Sequence, residues 1–270
     1  MSEPGLRERV IDDFGEQWVR YPEGGGYFDS DAFFRDVIEP LLSAEDFRGA
    51  SVAEIGSGQG RIVASLARFG ASHVVALEPS AAMKVLRDNT REFRDRITYL
   101  ESPGDQLPPS GFDFVVAIGV IHHIPDPEPV VRAVYRALRP GGLFFMWVYG
   151  KEGNELYLAL ATPLRRLSSA MPPLLLGFFT HPLAWALSAY AALCRLLPLP
   201  LRDYTQRVIA PLGMRHRRLV IFDQLHPAWA KYYTHEESVS LLEDAGFVDV
   251  RAHHRHGYSW SLVGTRPAML

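Results

Sequence analysis

The stretch "VAEIGSGQGR", residues 52–61, constrains this chain more than any other. An apolar run carries an acid, Glu54, and is followed by Gly56, Gly58 and Gly60 at alternate positions. A buried strand, "ASVAEIG", that turns through glycines into the helical "GRIVASLARFG" is the opening of a β-α unit, with Gly70 as the helix C-cap. The alternation then continues. "HVVALEPS", "RITYLES", "GFDFVVAIGVIHHI" and "LFFMWVYG" read as strands, and "AAMKVLRDNTREF" and "DPEPVVRAVYRALRPGG" as helices, the last stopped by Pro140 and a glycine pair. Short links between alternating elements predict a parallel sheet covered on both faces, with right-handed crossovers and a doubly wound layout.

The pattern breaks after Gly150. Residues 151–222 offer no strand and are rich in Leu, Ala and Pro, and no charged residue occurs from Leu167 to Cys194. Sheet-like text returns later. "THEESVSLLEDAGF" opens with a capping box, and "VDVRAHH" and "GYSWSLVGTRP" predict two strands joined as a hairpin. The core is thus expected to resume after an insertion.

The glycine loop excludes two ligands. A phosphate-cradling P-loop requires Lys-Ser/Thr after its last glycine, and Arg61-Ile62 stands there. The dinucleotide fingerprint requires glycine at position 61, whereas here it falls one place early, at Gly60. Glu78, the acid closing the second strand, suits a ribose diol in either setting and does not discriminate.

The motifs in combination discriminate. "VAEIGSGQGR", "VVALEPS", "GFDFVVAIGVIHHIPDP" and "LRPGGLFFM", in this order and spacing, resemble the class I S-adenosylmethionine-dependent methyltransferases, in particular the small-molecule branch. The resemblance spans roughly residues 50–150 and resumes at the C-terminal helix and hairpin. It implies a Rossmann-like, seven-stranded doubly wound α/β sheet with a C-terminal antiparallel hairpin and a helical lid insertion. The implied division is an N-terminal helical lid (1–49), a cofactor-binding core (50–150), an apolar helical insertion on the acceptor side (151–222) and the rest of the core sheet (223–270).

Carried over by position, the resemblance assigns Glu54, Gly56, Ser57, Gly58 and Gly60 to the methionyl and ribose parts of S-adenosylmethionine. It gives Glu78 the ribose hydroxyls, Pro79 and Ser80 the adenine face, Asp105 beside Gly104 the adenine amine, and Ile118 and Gly119 the methyl side. Gln17, Trp18 and Tyr21 would close over the cofactor from the N-terminal lid, and Asp223, His226, Tyr232 and Tyr233 would reach the acceptor.

Displacement at a sulfonium needs alignment first and a base only where the acceptor carries an acidic proton. Among ten histidines, His123, His226, His235 and the cluster His253, His254 and His256 are all conceivable bases; His123 neighbours His122 on the fourth strand, so at most one of that pair is expected to look into a pocket. No histidine pair has metal-ligand spacing, and no metal is assigned.

The rival readings are an RNA methyltransferase, supported only by "RHRR" (215–218), and a non-catalytic protein of the same fold. A net charge of −3 argues against a nucleic-acid partner. A small, apolar or aromatic methyl acceptor is the expected partner. The single cysteine, Cys194, and a polar N-terminal stretch fit a cytoplasmic setting. The uncharged stretch 167–194 is long enough to cross a bilayer, but its prolines and glycine interrupt it. Three roles stay open for it: a lid over an apolar acceptor pocket, the contact of a homodimer, or peripheral contact with a membrane surface.

Overall fold

The computed structural model describes residues 3–22, 31–168, 171, 173–225 and 229–268. Seven strands make one sheet: β1 (Ser51–Ile55), β2 (His73–Leu77), β3 (Ile97–Leu100), β4 (Phe112–Ile118), β5 (Leu138–Tyr149), β6 (Val248–Arg255) and β7 (Ser259–Thr265). Their order is β3-β2-β1-β4-β5-β7-β6. β1 to β5 run parallel, and the hairpin β6-β7 joins antiparallel against β5.

Alternate residues of the central strands feed two separate cores, one on each face. Ala53, Ile55, Val115, Ala117, Phe144 and Met146 pack on one side. Val52, Val116, Ile118, Phe145 and Trp147 pack on the other. This period of two explains why these strands read as continuous apolar runs: both faces are covered. The chain runs β1 to β3 outward, then returns as β4 on the other side of β1. Such a reversal opens a crevice at the carboxyl ends of β1 and β4, where open α/β sheets take ligands.

Helices α1 (Glu3–Arg20) and α2 (Asp31–Ile38) precede the sheet; α3 (Arg61–Arg68), α4 (Met83–Asn89) and α5 (Glu128–Ala137) connect its strands. Gly15 lets α1 approach the turn after β2, because a Cβ there would lie 2.9 Å from that of Ser80. The insertion holds α6 (Glu155–Ser168), α7 (Pro173–Leu196), the short α8 (Arg202–Tyr204), which continues as a π-turn to Ile209, and α9 (Met214–Leu225). Helix α10 (His235–Glu243) starts at the expected capping box, where Thr234 accepts from Glu237 N–H and Glu237 accepts from Thr234 N–H.

Three local expectations change. "LRPGG" does not merely end a helix: α5 stops at Ala137, and Leu138 to Gly142 form the irregular start of β5 against Phe112. The fourth strand ends at Ile118, and Ile121–His123 form a 3-10 turn, so His122 and His123 do not alternate across a strand. Pro182 lies inside α7 rather than dividing it.

Candidate functional site

At the crevice a cavity of about 250 Å³ is walled by the glycine loop, by α1 and by the insertion. The loop comes first, because β1 ends there. Gly56 at φ +68° and Gly58 at φ +52° adopt conformations open to glycine, and each is covered closely. A Cβ on Gly56 would meet Val120, and one on Gly58 would sit 2.9 Å from the Trp18 indole nitrogen. Gly60, at φ +91°, starts α3; a Cβ there would strike Leu86 and Thr90 behind the loop, so it is a turn glycine and does not line the cavity.

Two acids meet at the loop. Glu78 lines the cavity, and its Oε2 accepts from Gly58 N–H at 2.7 Å. Ser80 serves Glu78 rather than the cavity, donating N–H at 3.0 Å and its hydroxyl to Oε1. Glu54 is buried, its Oε2 has no hydrogen-bond partner among the described residues, and burial pushes its pKa up to about 8. A buried carboxyl with an open acceptor is suited to a cationic ligand.

Helix α1 roofs the crevice with Phe14, Gln17 and Trp18. It is held by Arg7, which donates to Asp105 at 3.1 Å through Nη1. Asp105 is thereby turned away from the main cavity, although its neighbours Pro103 and Gly104 line it. Tyr21 also lies off the cavity, buried against Leu176, Phe222 and Leu225. Ser57, Pro79, Ile118 and Gly119 complete the core side of the wall.

The opposite wall is aromatic and apolar, with Tyr204, Val208, Leu219 and Val220 from the insertion and Trp147 from β5. A polar network crosses its floor. Gln17 donates to Asp223 at 2.9 Å, and the Tyr149 hydroxyl donates to the other Asp223 oxygen at 3.0 Å. Gln224 donates to the Tyr149 oxygen at 2.9 Å and accepts from Tyr157 at 2.7 Å and Tyr232 at 3.1 Å. Tyr232 therefore supports the floor, also accepting from Arg165 at 3.2 Å, without lining the cavity. Tyr233 is buried in the core, and His226 lies outside the described residues.

His123 faces the cavity, 4.6 Å from the Phe14 ring. Its Nδ1 lies 2.9 Å from the Trp229 carbonyl oxygen. A carbonyl only accepts, so Nδ1 carries the proton and Nε2 keeps its lone pair. Burial lowers the pKa of His123, against the opposing pull of the Asp223 charge, so the ring is neutral near pH 7. His122 is fully buried behind it, its ring tilted 31° to that of Tyr149 with centroids 3.9 Å apart, and neither ring nitrogen is partnered among the described residues. Only one of the two histidines meets the cavity, as expected, but the cause is the 3-10 turn and not strand alternation.

Sequence reasoning missed Tyr149, Gln224, Tyr204, His216 and Phe14. Tyr149 ends β5 beside the end of β4, a strand-end position that could have flagged it. Nothing in the sequence marked Tyr204, and His216 stood only within "RHRR". "RHRR" turns inward in part: Arg217 donates to Ala210 O and Ser188, Arg218 to Thr180, and His216 lines the cavity.

Residues 53–146 match the family model described as a methyltransferase domain. The ubiquinone biosynthesis O-methyltransferase of Methylobacterium sp. (strain 4-46) is 32% identical over 133 residues, 48% of this chain and 53% of that protein. The protein of the same name from Idiomarina loihiensis is 34% identical over 116 residues, 42% of this chain and 47% of that one. The chain spans about half the length of these curated relatives. Among solved structures, magnesium protoporphyrin IX methyltransferase from Synechocystis PCC 6803, with bound SAH, superposes at a TM-score of 0.58 and 14% identity, covering 98% of this chain and 99% of that one. A Burkholderia thailandensis 1,6-didemethyltoxoflavin-N1-methyltransferase also superposes at 0.58, with 16% identity and 99% and 91% coverage. At such identities the structural likeness speaks for the fold alone. The domain match over residues 53–146, the sheet order and the curated relatives together make the chain similar to the class I S-adenosylmethionine-dependent methyltransferases.

Proposed function

We propose that this protein transfers a methyl group from S-adenosylmethionine to a hydroxyl of a small, largely apolar or aromatic acceptor. The observation that carries the reading is His123, whose Nε2 is left basic by the Nδ1 contact to Trp229 in a cavity shared by the glycine loop and an apolar wall. The names of the relatives, O-methyltransferases of ubiquinone biosynthesis, support an oxygen acceptor.

The residues fit the cofactor. The unpartnered Oε2 of Glu54 is suited to its cationic amino acid end, and Glu78, at the end of β2, to its ribose hydroxyls. Gly56 and Gly58 let Val120 and the Trp18 indole close directly on the loop. When bound, S-adenosylmethionine supplies a methyl already activated on a sulfonium.

The chain then has three tasks. Helix α1 acts as a lid that excludes water through Phe14, Gln17 and Trp18. Tyr204, Val208 and Leu219 hold the acceptor's apolar body, which orients its hydroxyl. His123 Nε2 takes the hydroxyl proton, and the Asp223 carboxylate, anchored by Gln17 and Tyr149, offsets the charge that the imidazole acquires.

The test is calorimetric titration with S-adenosylmethionine, followed by a labelled-methyl assay on hydroxylated aromatic acceptors with Glu78→Ala as the blank. Binding plus label on an acceptor oxygen is expected. No binding at millimolar cofactor overturns the reading, and label only on nitrogen or carbon removes the role given to His123. An RNA acceptor is less supported, because Arg217 and Arg218 are engaged within the insertion.

A further inference from the structure

The insertion carries a surface that the cavity does not use. One side of α7 is buried through Leu176, Thr180, Ala184, Ala191 and Cys194. The other exposes Leu175, Phe178, Leu183, Trp185, Leu193 and Leu196, with Phe178 and Trp185 each 69% and Leu196 81% exposed. Successive separations of three, seven, eight and three residues set Leu175, Phe178, Trp185, Leu193 and Leu196 along one stripe, with Leu183 at its flank. Lone exposed apolar side chains are ordinary, but a continuous stripe with two aromatics marks an interaction surface.

The charge around the stripe narrows the partner. Between Leu156 and Phe222 the sequence has eight arginines and one acid, Asp203, in a chain whose net charge is −3. Arg195, on α7 itself, and Arg207, on the following π-turn, are exposed. Among the described residues no helix is long and apolar enough to cross a membrane. An apolar stripe with arginines beside it, on a helix that does not span, has the character of an interfacial helix.

We propose that the outer face of α7 docks in the plane of an anionic lipid surface. Phe178, Trp185, Leu193 and Leu196 enter the boundary between headgroups and acyl chains, and Arg195 and Arg207 meet lipid phosphates. The alternative occupant is a second copy of this chain. Two-fold pairing through this face would bring two arginine-rich segments together, whereas an anionic surface complements them.

The test is flotation of the full chain, without cofactor, with phosphatidylcholine vesicles that contain or lack phosphatidylglycerol. It reads docking whether or not methyl transfer is correct. Binding is expected only with phosphatidylglycerol and should weaken as salt rises. Trp185, the most exposed of the five tryptophans, should shift its emission to the blue and be quenched by brominated acyl chains. The double variant Phe178→Ser/Trp185→Ser should lose about a hundredfold in partitioning, and Arg195→Glu/Arg207→Glu about tenfold or more. All four sites are exposed, so unchanged circular dichroism and thermal midpoint will show that both variants fold. Equal binding to neutral vesicles, no binding to either, or binding that survives the aromatic substitutions overturns the proposal. A concentration-dependent doubling of mass abolished by Trp185→Ser assigns the face to a second copy instead.

Discussion

The glycine loop and the insertion line the same cavity from opposite sides and obey different constraints. In the loop, backbone conformation decides the residue: Gly58 stands at φ +52° beneath Trp18, and Gly56 at φ +68° against Val120. In the insertion, packing decides it, so Val208 or Leu219 could be exchanged for another apolar residue of similar volume at small cost. A fixed ligand demands fixed backbone, and a variable acceptor demands only a shaped apolar wall. On this view, changes in the loop should remove cofactor binding and changes opposite should alter the acceptor.

The sharpest contrast is expected from Gly58→Val. Its side chain strikes the Trp18 indole in a backbone conformation that valine resists, so cofactor affinity should fall at least about a hundredfold, or ~2.7 kcal/mol. Calorimetry beside circular dichroism checks it; an unfolded variant would make Gly58 a folding residue and break the comparison. Next in size, His123→Gln should lower kcat by about 10² to 10³ while cofactor affinity changes less than about threefold. If turnover is equal to that of the unaltered protein, the base lies elsewhere on the floor. Smaller again, Leu219→Ala should raise the acceptor KM by about tenfold, as lost apolar contact, with cofactor affinity unmoved. An equal loss of cofactor affinity would show that the two walls are not separable.

The smallest effects are in stability against pH. Glu54 titrates at about 8 in the folded chain and near 4.5 unfolded, so the folded state holds the extra proton between these values. The contribution of Glu54 should therefore fall as pH rises from about 4.5 to about 8, by at most about 1.4 kcal/mol per pH unit, and it governs the alkaline arm above 6.5. Burial lowers His122 and His123, so on the acid side the unfolded chain binds protons first, and stability should fall as pH drops below 6.5. Urea midpoints across the range check both arms. Glu54→Gln should flatten the alkaline arm, and His122→Phe should flatten part of the acid one; an unaltered slope in either variant removes that group from the account.

Much of the crevice could be read in advance because its determinants are local. Glu54, Gly56, Ser57, Gly58 and Glu78 are set by where two strands end, and all five line the cavity. Where a role depended on a distant partner, the sequence misled. Asp105 is drawn off by Arg7 from α1, Ser80 is occupied with Glu78, and Tyr21 packs among insertion residues. Gly60 has the glycine's signature but answers to Leu86 and Thr90 behind the loop. Tyr232 carried a correct chemical type, yet its hydroxyl supports Gln224 instead of reaching the cavity.

Alternating strands and helices, the glycine spacing and the acid at Glu78 are properties of contiguous chain, and they determined the sheet and the family resemblance without reference to anything remote. Only the tertiary structure joined Gln17, Tyr149 and Asp223 across more than 200 positions and fixed the His123 proton through Trp229. It likewise decided which side of α7 is left to solvent. Hydrogen-bond partnership and burial are set by what folds against a residue, and that neighbour need not leave any mark on the residue's own stretch of sequence.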